Sequence, residues 1–428
     1  MTIATTVDTF GARLRSVRQR AGLSQAEAGG GRYSASYISH LESGRRQPTD
    51  EVLTHLAIRL GVGLDELVAT DQQAYAAGSA ATALLVANSA LREAQRVGDP
   101  ELICLRANEV AAQAVRSRRA DLWWHAECCR LHALVALGSY RMVCDIGTML
   151  ARHPITQGSA QLECEILAQL ARAHRAMGEL KAAIEVGSRA RALADAHEVE
   201  PAVHVEVLNV HIAALMDSGE TEEAAAATAT LRELRDLVHS PQIRAQVAWV
   251  LGNVAFLTGD VADGLAEHQQ AMELFRPEVD LSLWARFRQA SARMRLDAGL
   301  TDGVAELIDA AAAALSLVGS AADRANLEMV RAAQALAQGD PQTAVTLCDG
   351  VLEGGTALSP QSSADLYVLR HRALLALDEI AAARESLRAA AELYEEAGAW
   401  QRAVVAWRTR ADLEDDVAGT VVRSDPGA

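Results

Sequence analysis

The sequence is short of residues that interrupt helices. It contains nine prolines in 428 residues, and proline breaks a helix because it lacks a backbone N–H and clashes with the preceding turn. Aromatic residues make up 4% of the chain, whereas 50% of the residues are hydrophobic. Alanine and leucine supply most of this apolar content and favour closely packed helices. Because strand-like alternation is also scarce, the composition predicts an all-α protein.

Segments that would direct the chain to a membrane are also lacking. No run of 18 apolar residues occurs, which excludes a transmembrane helix. The first residues have no basic stretch followed by an apolar core, so no secretory signal is predicted. We therefore expect a cytoplasmic protein with no membrane partner. In that compartment the six cysteines should be reduced thiols and not a disulfide framework.

The motifs of common catalytic sites are absent as well. There is no G-x-S-x-G, no H-E-x-x-H, no P-loop, and no G-x-G-x-x-G after a strand, so we expect neither an enzyme nor a cofactor. His125, Cys128 or Cys129, and His132 fall on one helical face, but two turns of helix, about 10 Å, separate the histidines. One metal ion does not readily reach both, which favours buried neutral thiols and leaves metal binding and a redox-sensing thiol pair as the alternatives.

Charge is distributed unevenly along the chain. The net charge of −16 by itself argues against nucleic acid, and all basic residues except Lys181 are arginines. Residues 9–46, however, contain seven arginines and two acidic residues, whereas the chain after residue 69 contains 32 basic and 49 acidic residues. A basic segment within an acidic chain is the pattern expected of a local DNA-binding domain.

That basic segment contains a specific motif. The pattern predicts two short helices joined by a glycine turn, followed by a loop with two arginines. The motif residues are Leu23-Ser24-Gln25, Ser34-Ala35-Ser36-Tyr37-Ile38-Ser39-His40-Leu41-Glu42-Ser43-Gly44-Arg45-Arg46-Gln47-Pro48 and Leu60-Gly61-Val62-Gly63-Leu64-Asp65-Glu66-Leu67. Over residues 9–69 the sequence resembles the helix-turn-helix of the phage-repressor/Cro type, the XRE family; a helical hairpin with a chance similarity is the alternative.

The resemblance implies which residues meet DNA. In this family the third helix enters the major groove, and the start of the second helix and the exit loop hold phosphates. Serine hydroxyls and an alanine methyl suit base edges, and the outward residues of the third helix extend that surface. The DNA-binding candidates are Gln25, Ser34, Ala35, Ser36, Ser39, His40, Arg45 and Arg46. The sequence departs from the family at Gly29-Gly30-Gly31, which predicts that the second helix, capped by Ser24, ends near Ala28.

Beyond residue 70 the sequence repeats at a fixed interval. Glycines recur at 40, 40, 41, 40, 40 and 40 residues, and an aspartate follows 39 residues later. Such a period indicates stacked helical hairpins. Over about residues 100–415 the pattern resembles tetratricopeptide (TPR) repeats with lengthened helices. The turn residues are Gly98, Gly138, Gly178, Gly219, Gly259, Gly299, Gly339 and Asp378. We predict a five-helix helix-turn-helix domain followed by an α-solenoid of about eight hairpins.

The TPR resemblance also implies which side chains face the concave groove. They lie three, six and ten residues before each turn, with a further position one helical turn earlier. The set mixes amides, arginines and aromatics, which suits a small-molecule or short peptide ligand, although polar residues on a solvated face need no ligand. The ligand-binding candidates are Arg172, Arg175, Asn209, Gln246, Trp249, Asn253, Phe256, Arg286, Gln289 and Arg293.

A helix-turn-helix before a TPR array resembles the Rgg/PlcR-like peptide-sensing regulators of quorum sensing. That resemblance implies a homodimer, a palindromic operator on double-stranded DNA, and control by a ligand in the groove. The alternative is a TPR scaffold whose helix-turn-helix domain positions a protein partner. The expected domains are 1–69 for DNA binding, 70–97 as a linking helix or first hairpin, 98–415 for ligand sensing and dimerisation, and 416–428 as a flexible tail.

Overall fold

A computed structural model describes residues 10–68, 71–355 and 358–423 of the chain. All regular elements among these residues are helices, and none of them combines the length and apolar character of a membrane span. The chain divides into two compact units, Met1–Arg130 and Leu131–Ala428.

The first unit begins with the predicted five-helix domain. Leu14, Ile38, Leu41 and Leu56 are fully buried in its core, because they fall at helical spacing on the inner faces of their helices. Gly11 allows the first helix to approach the third, since a Cβ there would clash with backbone oxygens of the third helix. The helices are α1 (Phe10–Arg20), α2 (Gln25–Gly29), α3 (Ala35–Glu42), α4 (Asp50–Leu60) and α5 (Leu64–Val68).

Capping residues fix the ends of these helices. Ser24 forms a capping box with Glu27, and the side chains of Ser34 and Thr49 accept hydrogen bonds at the starts of α3 and α4. Gly30 at φ 62° ends α2, within one residue of the predicted end. Asp8, predicted as the cap of the first helix, lies outside the described residues.

The remaining helices form the TPR-like solenoid that the period predicted, with α6 and α7 as the first of its hairpins. α23 continues to Arg423, so the helix enters the predicted tail, of which residues 424–428 lie outside the described part. The helices are α6 (Asp71–Val97), α7 (Pro100–Arg116), α8 (Ala120–Ala136), α9 (Tyr140–Ala151), α10 (Pro154–Gln157), α11 (Ala160–Ala176), α12 (Leu180–Ala196), α13 (Pro201–Ser218), α14 (Thr221–Arg235), α15 (Pro241–Leu257), α16 (Val261–Leu274), α17 (Leu281–Asp297), α18 (Val304–Val318), α19 (Ala321–Ala337), α20 (Pro341–Glu353), α21 (Pro360–Ala376), α22 (Ile380–Ala397) and α23 (Trp400–Arg423).

Each predicted turn residue has left-handed backbone geometry. The seven glycines have φ between 69° and 92°, and Asp378 replaces the eighth glycine at φ 62°. Glycine adopts this region without steric cost, and aspartate tolerates it better than most residues. The repeat in the sequence is therefore a repeat in backbone geometry.

Small residues let paired helices approach closely. A Cβ on Gly252 of α15 would clash with the ring of His268 and lie 3.2 Å from the carbonyl oxygen of Gly264, both on α16. A Cβ on Gly187 of α12 would lie 2.8 Å from Nδ1 of His211 on α13. The imidazole rings therefore occupy the space that a side chain would otherwise take.

Within residues 131–428 the last hairpins contact hairpins five repeats earlier in the chain. Gln361 Nε2 donates to the Arg175 carbonyl at 2.9 Å, and Gln401 Nε2 donates to Glu220 at 2.6 Å. Leu180 is fully buried in a cluster that includes Leu387 and Ala390. We call this contact between residues 175–181 and 217–220 on one side and 360–365 and 398–402 on the other the seam.

A glycine substitution can test the seam. Gly178→Ala would place a Cβ 2.6 Å from Pro360 Cδ, whereas a Cβ on Gly339 would meet no atom within 4 Å. Both glycines have positive φ, so alanine at either should cost about 1–2 kcal/mol of stability. We expect only Gly178→Ala to accelerate amide hydrogen exchange across residues 360–376, measured by mass spectrometry. Equal exchange in both variants would contradict the seam.

Candidate DNA-binding and ligand-binding sites

The predicted recognition surface is formed by the start of α3. Ser34 caps the helix, and its Oγ accepts a hydrogen bond from the Tyr37 N–H at 3.2 Å. Ala35, Ser36 and His40 are exposed, while Ser39 is partly buried. The short exposed side chains at the helix start leave room for a base edge to approach the backbone, whereas the hydroxyl of Ser34 is already used by the cap.

The loop after α3 presents two exposed arginines. Gly44 has φ 73°, and the following Arg45 and Arg46 backbone N–H groups both donate to the His40 carbonyl at 2.9 and 3.2 Å. The Arg46 guanidinium lies 5.1 Å from the Tyr37 ring, a cation–π distance. The described residues offer neither arginine an acidic partner within salt-bridge distance, so both charges are available to phosphates.

Gln25, another of the predicted DNA contacts, takes part in a partly buried hydrogen-bond network. Its Nε2 donates to Glu42 Oε2 at 2.9 Å, and Arg18 Nε donates to the other oxygen of that carboxylate at 2.5 Å. Desolvation raises the pKa of Glu42, but the hydrogen bonds from Arg18 and Gln25 outweigh it and leave the pKa below its usual value. The network joins the ends of α1 and α3 to the start of α2 and thereby fixes the motif geometry.

The predicted groove arginines have acidic partners on neighbouring helices. Arg172 contacts Glu206 at 3.2 Å, and Arg175 Nε donates to Asp217 at 2.8 Å, so α11 is linked to α13 twice. At these predicted groove positions, adjacent repeats are therefore joined by ion pairs. A carboxylate ligand would have to compete with these pairs.

The two candidate ligand-binding arginines of α17 are also paired. Arg286 holds Asp323 through two hydrogen bonds at 2.7 and 3.0 Å, a bidentate geometry typical of strong arginine–carboxylate pairs. Arg293 Nε donates to Asp297 Oδ2 at 2.7 Å on its own helix. These pairs connect or stiffen the helices of the array whether or not a ligand is present.

The two aromatic residues of the predicted ligand set, Trp249 and Phe256, pack against different rings. Trp249 packs edge-to-face on Phe287, with ring centroids 5.7 Å apart. Phe256 is buried and packs edge-to-face on His268 at 5.1 Å. Asn253 Oδ1 accepts a hydrogen bond from His268 Nε2 at 3.1 Å. Trp249 thus contributes to packing between α15 and α17, and Phe256 and Asn253 contribute to packing between α15 and α16.

The amide candidates differ in their surroundings. Gln289 is buried, whereas Asn209 and Gln246 are partly buried. Asn209 Oδ1 and Trp249 Nε1 are shielded from solvent without a hydrogen-bond partner among the described residues. Buried polar atoms usually find such a partner, so these two atoms support the predicted ligand set.

Sequence reasoning did not identify the acidic and aromatic groups of the seam. Arg402 Nη2 donates to Asp365 at 2.6 Å, its guanidinium carbon lies 4.7 Å from the Tyr394 ring, and it also donates to the Asp217 carbonyl at 3.4 Å. Asp217 and Arg402 are 185 residues apart in sequence. The 40-residue period predicts neighbouring repeats but not contacts five repeats apart.

The thiol and imidazole candidates of α8 do not form a metal site. Cys129 Sγ lies 3.6 Å from His125 Nε2 and accepts from Gln95 at 3.3 Å, and burial raises the pKa of the Cys129 thiol. His132 is exposed. Within the described residues no group of three potential metal ligands comes together. The raised pKa favours a neutral thiol over a reactive thiolate.

Two buried histidines should make stability depend on pH. Burial lowers the pKa of both His211 and His268 to about 4, below the usual 6.5. They stay neutral in the folded protein but gain protons on unfolding, so their contribution is present above pH 6.5 and is lost as pH falls toward 4. When the pH is lowered from 8 to 6, protonation of each histidine in the unfolded state should reduce the free energy of unfolding by about 0.8 kcal/mol. Urea titration at the two pH values measures this difference.

A variant separates this effect from other titrating groups. His268→Gln should reduce the stability difference between pH 8 and 6 by the share of one histidine. The matched control, His239→Gln, replaces an exposed side chain and should retain the full difference. An unchanged difference in His268→Gln would contradict the assignment.

Comparison with known proteins identifies the N-terminal motif. Residues 9–70 match a family model described as "Helix-turn-helix domain", which confirms the predicted motif. No curated protein matches the chain.

Several solved structures are similar over most of their length. PlcR of Bacillus thuringiensis, in complex with the peptide PapR7 and DNA, is 15% identical with a TM-score of 0.35, and the alignment covers 66% of this chain and 98% of that one. A Rap protein complexed with Competence and Sporulation Factor is 12% identical with a TM-score of 0.49, over 96% and 98%. The SHP pheromone receptor Rgg2 of Streptococcus dysgalactiae is 12% identical with a TM-score of 0.31, over 67% and 99%. The architecture of this chain is therefore described from its own helices.

Proposed function

From the helix-turn-helix domain at residues 9–70, we propose that this protein is a ligand-responsive transcriptional regulator that binds a palindromic operator as a homodimer. The observation that carries the proposal is the exposed start of α3 beside Arg45 and Arg46, which have no acidic partner among the described residues. Base edges would be met by Ala35, Ser36 and the outward part of α3, and phosphates by the two arginines.

The solenoid is the proposed sensor. Residues 98–415 would bind a small molecule or short peptide in the groove and would also support dimerisation. Asn209 Oδ1 and Trp249 Nε1, which are buried without a hydrogen-bond partner among the described residues, support a ligand there, because buried polar atoms usually have a partner. The PlcR structure is a complex with the peptide PapR7 and DNA, and a short peptide is therefore one ligand class to test.

The seam offers a physical route from ligand to DNA. Residues 175–181 and 360–364 are held together by the hydrogen bond from Gln361 Nε2 to the Arg175 carbonyl and by the buried side chain of Leu180. A ligand that binds the closed state more tightly than an open one shifts the balance by that difference in affinity. The shift would change how the two DNA-binding domains of a dimer are presented to the operator.

A protein-binding scaffold is the second candidate function. The many exposed side chains of the array are compatible with a protein partner, and in that case the helix-turn-helix domain would mainly position the partner. Such a scaffold would bind DNA weakly and without sequence preference.

Selection of bound duplexes from a random DNA pool by the full-length protein distinguishes the two functions. We expect enrichment of an inverted repeat whose half-sites are centred about one helical turn apart, at near-physiological salt. Selection is performed with and without a cell extract that supplies the ligand. Failure to enrich any motif in both arms would favour the scaffold.

Arg45 provides a quantitative test of the phosphate contact. Arg45→Ala should weaken binding to all DNA sequences and lower the slope of log K against log salt by about one unit, since one phosphate contact is lost. The control Arg20→Ala removes a charge that is paired with Glu66 at 2.7 Å and should leave the slope unchanged. Equal slopes for Arg45→Ala and the unmodified protein would show that another residue makes the phosphate contact.

A further inference from the structure

A cavity of about 530 Å³ lies at the seam, next to the contacts between α13 and α23. Its size is within the usual range for small-molecule sites. Side chains from both sides of the seam line it, and no residue of the predicted ligand set is among them. The lining residues that matter here are Met216, Leu257, Val368, Arg372, Arg402 and Val405.

The charge of this lining is opposite to that of its surroundings. Arg372 and Arg402 line the cavity, and none of the described lining residues is an aspartate or glutamate. His371 also lines it, but burial lowers the pKa of its imidazole, so it adds no charge at neutral pH. The chain after residue 69 nevertheless carries 49 acidic and 32 basic residues. Such a local reversal favours an anionic group in the cavity.

The two arginines differ in their availability. Arg402 is held by Asp365 at 2.6 Å and lies over the Tyr394 ring. Arg372 has one ion pair, with Asp297 at 3.9 Å, and its side chain is 54% exposed. An incoming carboxylate can therefore bind Arg372 without breaking a close pair, whereas Arg402 serves as part of the wall.

The rest of the cavity is mainly apolar. Met216 and Leu257 contribute from one side of the seam, and Val368 and Val405 from the other. Leu257 is 45% exposed and Val405 is 62% exposed, so both leave apolar surface in water. Covering that surface would be favourable by roughly 25 cal/mol per Å².

We propose that the seam cavity binds a small amphipathic carboxylate, with its carboxylate on Arg372 and its apolar part against Met216, Leu257, Val368 and Val405. The inference rests on the proposed sensing role of the solenoid and places a ligand of this class at the seam, apart from the predicted groove residues. Because the ligand contacts both sides of the seam, its binding stabilises the closed arrangement. A medium-chain fatty acid and the free C-terminus of an apolar peptide share this chemistry.

The test is calorimetric titration of the full-length protein with two matched pairs of probes. Decanoate and decanol differ in the carboxylate, as do N-acetyl-trileucine and its C-terminal amide. We expect one acid to bind and its neutral counterpart to bind at least about tenfold more weakly, since hydrogen bonds between charged groups contribute this much or more. The acid that binds identifies the source; binding of neither acid overturns the proposal.

Variants assign the binding to this cavity. Arg372→Gln should weaken binding of the acid at least about tenfold. Val405→Asp should abolish binding, because it places a negative charge in the cavity that repels the carboxylate of the ligand. The control Arg388→Gln removes a charge from α22 that is paired with Glu385 and Glu392 and should bind as the unmodified protein does. Unchanged affinity in folded Arg372→Gln, checked by circular dichroism, overturns the proposal.

Whether the seam cavity binds a carboxylate is tested independently of DNA binding. If a carboxylate binds but no operator is enriched, the inference stands and the proposed regulatory function falls. If an operator is enriched but neither acid binds, the regulator stands and the inference falls.

Discussion

The left-handed turn in each hairpin is the constraint on which the solenoid depends. A turn residue at positive φ every 40 or so residues sets the phase of both helices in a hairpin. That phase determines which small residues meet, as Gly252 meets Gly264 and His268. Once helices approach this closely, their side chains have few alternative arrangements, and the same spacing propagates through the array.

The seam follows from this regularity. Identical steps of one hairpin accumulate into a superhelix, and here five steps bring α21 back to the end of α11. Each side of the seam is held by an ion pair between adjacent repeats, Arg402 with Asp365 on one side and Arg175 with Asp217 on the other. Arg402 also donates across the seam to the Asp217 carbonyl. Isolated exposed pairs contribute little, but several partly buried pairs at one contact can select one curvature over another.

The sequence was informative where local chemistry decides structure. The serine cap of α2, the glycine end of α2 and all eight turn residues follow from backbone preferences of single residues, and each was predicted correctly. A second period was available but unused: the residues before the first helix of successive hairpins include Ser240, Asp280 and Ser320, whose side chains cap α15, α17 and α19.

Contacts between distant repeats could not be predicted in this way. The TPR resemblance orients Arg172 and Arg286 toward the groove, but it says nothing of Glu206 and Asp323, which bind them. Which acidic residue reaches which arginine depends on the pitch of the superhelix. That pitch depends on the sum of many packing contacts, and no single motif encodes it.

The shortage of lysine has a practical consequence at the seam. Lys181 is the only lysine of the chain, its side chain is exposed, and a Cβ built on Gly398 would lie 3.9 Å from its Cβ. An amine-reactive fluorophore would therefore attach at one side-chain position, beside the last hairpin. The protein thus carries a single lysine for labelling at the place where opening and closing would change the polarity around a dye.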